Sequence, residues 1–106
     1  MRMPDKYRVN ITNDALTHLK SIFDYVEKNS PWNAGKLIGR ILRDIDDLEF
    51  MPKRFRVAGR SRNYKTDIHS RVSRPFIVYY RVDDPTEQVF ITAVRHGMRE
   101  QPRDFD

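Results

Sequence analysis

Four arginines and one histidine carry most of the chemistry this chain can do. Arg71, Arg81, Arg95 and Arg99 fall on or just beyond three stretches that read as β-strands, and His96 stands next to Arg95. Metal-free cleavage of RNA needs a group to activate the 2′-hydroxyl, charge to stabilise the crowded phosphorus, and a proton for the leaving 5′-oxygen. Histidine suits the proton transfers near neutral pH. Arginine forks suit the charge, because they hold phosphate oxygens through paired hydrogen bonds. Arg81 and His96 are expected on neighbouring strands, from which they can converge on one surface. Tyr64 or Tyr79 can then stack a base.

Each of these residues also has a plainer role. His96 can pack at a strand end and bond the backbone. Arg81 can pair with Asp83, Asp84 or a carboxylate of a helix. Arg60 and Arg71 are expected to be exposed and to contact a partner, since Asp67 is their one acidic neighbour. Tyr79 and Tyr80 must point to opposite faces of their strand, one toward the core and one half-exposed. His18 and His69 are expected at the surface, and Trp32 against the preceding helix. Histidines so widely spaced form no metal-site pattern. The chain has no Gly-rich phosphate loop, no Ser/His/Asp signature and no cysteine nucleophile, so neither metal nor cofactor is expected.

Charge is unevenly distributed around these residues. Residues 1–52 carry eight Lys/Arg and eight Asp/Glu, whereas residues 53–81 carry nine Lys/Arg and only Asp67 as an acid. The net charge is +5 at pH 7. A region this basic attracts an anionic partner, either nucleic acid or an acidic protein. A length of 106 residues with 39% hydrophobic content predicts one domain, residues 1–106, with a modest core. The chain contains no cysteine, which excludes disulfides and thiolate chemistry. The first residues lack the apolar core of a signal peptide, and no run approaches the roughly 20 apolar residues of a membrane span. The expected location is cytoplasmic.

The elements that position these residues follow from periodicity. Lys6 to Ile11 alternates as a short strand. Thr12 caps a helix whose apolar stripe runs through Ala15, Leu16, Leu19, Ile22, Phe23 and Val26, over about residues 13–28. Ser30-Pro31 starts a second helix, with Ala34, Leu37, Ile38, Ile41, Leu42, Ile45 and Leu48, expected to reach about Met51 before Pro52. The short link predicts an antiparallel hairpin. Residues 52–66 read as a basic, mobile loop. Strands are expected at Ile68–Val72, Phe76–Val82 and Val89–Val94, the last central in the sheet. The fold class is α+β, in the order β-α-α-β-β-β, an antiparallel sheet with a helical hairpin on one face.

The run Pro52…Gly59-Arg60…Arg71…Pro75-Phe76-Ile77-Val78-Tyr79-Tyr80-Arg81-Val82…Val94-Arg95-His96-Gly97-Met98-Arg99 resembles the ParE branch of the ParE/RelE toxin superfamily. Ser30-Pro31, Ala34 and Ile41 sit in the hairpin where such residues are usual, and the likeness covers nearly the whole chain. The resemblance implies a toxin of a type II toxin–antitoxin system of the plasmid-stabilisation kind. Its implied partner is a cognate antitoxin with an acidic, partly disordered tail, the two forming a hetero-oligomer. It implies DNA gyrase as target, with Arg60, Arg71, Arg81, Arg95, His96 and Arg99 contacting target or antitoxin. RelE-like relatives instead cut mRNA at the ribosome, and His96, Arg81 and Arg71 would be the catalytic set in that alternative. A non-toxic basic adaptor for protein or RNA is the second alternative. The chain departs from the family at one place: His69-Ser70 stands where an arginine usually precedes a serine. Arg71, two residues after His69, shares its strand face. The tail keeps an aromatic, Phe105, without the basic cluster usual in the nucleases.

Overall fold

The computed structural model describes residues 6–97. Strand β1 (Arg8–Ile11) leads into helices α1 (Asn13–Glu27) and α2 (Pro31–Asp46). Strands β2 (Val57–Arg60), β3 (Asp67–Ser73), β4 (Phe76–Asp83) and β5 (Gln88–His96) follow. The five strands form one sheet in the order β1-β5-β4-β3-β2. All neighbours are antiparallel except β1, which runs parallel to β5.

The helix starts are set by their caps. Thr12 Oγ1 accepts from the Ala15 N–H and donates to the Ile91 carbonyl at 2.7 Å, so one hydroxyl both starts α1 and ties it to β5. Ser30 Oγ accepts from the Asn33 N–H, and Pro31 occupies the first helical position. Helix α2 stops at Asp46, short of the expected Met51. The chain tightens into a 3-10 turn at Asp47–Glu49, and Met51 then adopts a left-handed conformation (φ 46°) ahead of Pro52. That reversal needs no glycine, but it ends any helix.

Period-two alternation gives the sheet two unlike faces. Phe76, Val78, Tyr80 and Val82 of β4 and Val89, Ile91 and Val94 of β5 point toward the helices. They pack with Ala15, Leu19, Ile41, Ile45 and Leu48 in one core. Tyr80 is fully buried and donates its hydroxyl to the Pro52 carbonyl at 2.6 Å, and burial pushes its phenol up to about 12. β5 is an interior strand, as its apolar run suggests, yet only its helix-facing side is fully buried.

The pairing of β4 with β5 contains one irregularity. Tyr79 lies opposite Ala93 and Tyr80 opposite Ile91, so Thr92 is an extra residue in β5. It is a β-bulge, and it shifts the alternation by one from there on. The Thr92 hydroxyl bonds the Tyr79 carbonyl at 3.2 Å beside the disrupted ladder.

Several local expectations are corrected. Residues 52–66 are not simply a loop: they hold a 3-10 turn at Pro52–Arg54 and the edge strand β2. Its register shift and half-exposed side chains leave little alternation to read. His69 is buried, only 6% exposed, stacked on Tyr80 at 5.4 Å with its Nδ1–H donated to the Phe55 carbonyl. His18 is half-buried on α1. Trp32 is 74% exposed, with Lys36 over its ring, and does not pack on α1. Tyr79 and Tyr80 do face opposite ways, but both are buried. Among the described residues no helix is long and apolar enough to cross a membrane.

The core assignment has a direct test by chemical denaturation. Ile41→Ala should cost about 2–5 kcal/mol of unfolding free energy, because it opens a cavity at a fully buried position. Leu16→Ala, at an exposed position of the α1 stripe, should stay within about 0.5 kcal/mol of the parent.

Candidate functional site

The face of the sheet away from the helices gathers the basic residues. In β4 it takes Ile77, Tyr79 and Arg81, which alternate with the core set. Arg81 lies opposite Phe90 of β5, and its guanidinium carbon sits 4.2 Å from the Phe90 ring centroid and 3.7 Å from that of Tyr64. Aromatic contacts at this range hold a guanidinium in place while leaving its N–H edge able to donate. Because of the bulge, Arg95 pairs with Ile77 and shares this face. Its position is four residues along β4 from Arg81, roughly 13 Å at the usual rise.

Between these two arginines lies Tyr79. Its cross-strand neighbours are small, Ser70 on β3 and Ala93 on β5. Across Ser70, whose N–H bonds the Arg56 carbonyl, the row continues to Arg56. Burial pushes the Tyr79 phenol above its ordinary value, while the positive charges of Arg56 and Arg95 pull the other way. Among the described residues no carboxylate forms an ion pair with Arg56, Arg81 or Arg95. Arg56 was passed over in the sequence because it sits in a stretch that reads as loop. Phe90 was passed over because an aromatic in a strand reads as core.

The other expected site residues lie elsewhere. Arg71 is on the helix side of β3, where its neighbour Val78 faces the core. Its guanidinium bonds the Asp44 carbonyl and the Asp47 carboxylate, at 2.9 and 2.7 Å, and lies 4.6 Å from the Phe55 ring centroid. Asp47 also pairs with Arg54. Arg71 is therefore a staple between β3 and the end of α2, and it does not join the open face. Arg60 is held within its own hairpin, by Asp67 at 3.7 Å and by the Lys65 carbonyl at 2.6 Å. Arg99 and Phe105 lie outside the described residues.

His96 does not converge with Arg81. It lies opposite Phe76, five residues along β4 from Arg81, and the bulge turns it to the helix side. There its ring meets Phe76 edge-to-face, centroids 5.3 Å apart. Both rings line an open groove of about 480 Å³ between α1, α2 and the end of β5. The groove is mainly apolar, lined by Ile22, Val26, Leu37 and Val94 together with Arg95. His18 and His69 are on the helix side as well. The cationic open face thus contains no histidine among the described residues. It can attract and hold an anionic surface, and a histidine, the side chain best suited to proton transfer near neutral pH, is not part of it.

The family model of the ParE toxin of type II toxin–antitoxin system, parDE, matches residues 9–101. No curated protein sequence matches significantly. Among solved structures, the chromosomal ParDE system from P. aeruginosa is similar, with a TM-score of 0.67 and 22% identity over 87% of this chain and 97% of that one. The archaeal RelE–RelB complex from Pyrococcus horikoshii OT3 gives 0.63 and 20%, over 90% and 99% of the two chains. The toxin–antitoxin complex RelBE2 from Mycobacterium tuberculosis gives 0.57 and 23%, over 90% and 94%. At these identities the structural likeness is one of fold.

The staple role of Arg71 has its own signature. Arg71→Ala should lower stability by about 1.5–3 kcal/mol, the range for hydrogen bonds to charged groups. The hydrogen bond from Arg71 holds the Asp47 carboxyl below its ordinary value of 3.8, helped by Arg54. The pair's contribution is therefore complete above 3.8 and is lost as pH falls through the lower folded value. Thermal melts as a function of pH should show a smaller acid-induced loss in Arg71→Ala than in the parent.

Proposed function

The chain belongs to the ParE toxin family of type II toxin–antitoxin systems, and on that premise we propose that it inhibits growth by binding DNA gyrase and is silenced by a cognate antitoxin. The observation that carries the binding reading is the separation of His96 from Arg81. The open face presents Arg56, Arg81 and Arg95 around Tyr79, with charge to hold a partner and, among the described residues, no histidine to move protons. A toxin that occupies its target needs the first and not the second.

The antitoxin is proposed to bridge both surfaces. Acidic, partly disordered segments are drawn by long-range attraction and fold on contact. The open face supplies the attraction through Arg81 and Arg95. The groove between the hairpin and β5 takes the apolar anchors, with His96 and Arg95 among its lining residues. Arg60, held by Asp67 and the Lys65 carbonyl, extends the basic character beyond these surfaces. That the three similar solved structures are toxin–antitoxin systems or complexes supports a partner of this kind.

The nuclease alternative keeps its support from the two RelE-type neighbours. Supercoiling by purified gyrase and mRNA cleavage in cell-free translation separate the readings. The purified chain should inhibit supercoiling and leave mRNA intact. Replacing Arg81 and Arg95 together by alanine should weaken that inhibition at least about tenfold, the effect of losing roughly 1.4 kcal/mol of binding. Cleavage of mRNA that disappears in His96→Ala would replace this reading with the RelE-like one. Inactivity in both assays, with no growth arrest on expression, would leave a non-toxic adaptor.

A further inference from the structure

The outer edge of β5 is covered by β1 only as far as Ile91. The bulge at Thr92 then shifts the strand, and the Val94 N–H points out of the sheet toward α1. An unpaired N–H on a strand edge is costly when buried and invites foreign pairing when exposed. His18 of α1 takes this group: its Nδ1 accepts from the Val94 N–H at 3.2 Å. Only an imidazole with Nδ1 unprotonated can do so, since both nitrogens of an imidazolium are donors.

We propose that His18 is a pH-operated latch between α1 and β5, which closes the strand edge when neutral and releases Val94 when protonated. His18, Val94, Arg95 and Phe76 all line the groove, so release loosens the wall of that groove. The titratable and charged groups facing His18 are few. Asp14 lies one turn earlier on α1 and Tyr25 two turns later, and β5 contributes Arg95 and His96. Phe76 of β4 and Leu37 of α2 are uncharged.

The electrostatics agree in sign. Burial and then the charge of Arg95 push His18 below its ordinary value of 6.5, against a smaller opposing pull from Asp14. The folded chain thus holds its proton less tightly than the unfolded chain. Stability from the neutral form is complete above 6.5 and is lost as pH falls through the lower folded value. The latch is closed at neutral pH and opens on acidification below 6.5. It does not depend on which target the toxin binds.

Amide hydrogen exchange at Val94, corrected for the intrinsic pH dependence of exchange, tests the latch. Its protection should fall about tenfold or more between roughly pH 7.5 and pH 5, while the Val78 amide stays protected. His18→Asn, whose side-chain oxygen can replace Nδ1 without titrating, should keep Val94 protected across the same range. Protection of Val94 that ignores pH in the parent, or that falls equally in His18→Asn, would overturn the proposal. If His18→Asn does not fold, nitrogen shifts of the parent imidazole decide. They should show Nδ1 unprotonated at neutral pH, with the Val94 amide shift titrating alongside the ring. A ring protonated on Nδ1 at neutral pH would overturn the latch.

Discussion

One inserted residue, Thr92, decides which side chains meet in this protein. Up to Ile91, the odd-numbered positions of β5 face the helices. Without the bulge that phase would continue, burying Ala93 and turning Arg95 inward, with His96 outward beside the row of Arg81. The extra residue reverses the assignment. Val94 completes the core, Arg95 joins the open face, and His96 meets Phe76 in the groove. The same shift aims the Val94 N–H at His18. The hydroxyl of Thr92 satisfies the Tyr79 carbonyl beside it, so the irregularity leaves no polar cost at that point.

The two faces of the sheet follow from this phase. The helix side is closed by α1 and α2 and dominated by aliphatic and aromatic contacts. The cations tolerated there are those with a partner: Arg71 reaches Asp44 and Asp47, and Arg54 shares Asp47. The open side holds Arg56, Arg81 and Arg95 without carboxylate partners among the described residues. Arg81 is positioned instead by the Tyr64 and Phe90 rings. Positive charge fixed by aromatic packing stays available to a ligand, whereas positive charge fixed by carboxylates does not.

Much of the architecture was legible in the sequence because it rests on strong, local signals. Ser30-Pro31 and Thr12 mark the helix starts, and the cap hydroxyls bond as that role requires. Phe76–Val82 and Val89–Val94 carry enough β-branched and aromatic residues to read as strands. β2 carried no such signal, since a short edge strand with a register shift gains its pairing from β3 and not from its own side chains. The bulge was equally silent, because nothing in Ile-Thr-Ala-Val says which residue lacks a partner. That silence is why Arg81 and His96 looked convergent. His69 was misjudged for a related reason: its burial comes from stacking on Tyr80 and from the Phe55 carbonyl, both distant in sequence.

The family places this chain among ParE toxins, and its basic face gathers arginines around Tyr79 with His96 turned to the other side. The division of Arg95 and His96 between opposite faces is the claim on which that arrangement stands. Nuclear Overhauser contacts of the His96 ring measure it most directly. Cross-peaks from the His96 ring to Phe76 and to Val26 or Leu37 are expected, with none to Val72 or Tyr79. Contacts from that ring to Val72 or Tyr79, with Arg95 facing Phe76 instead, would contradict it.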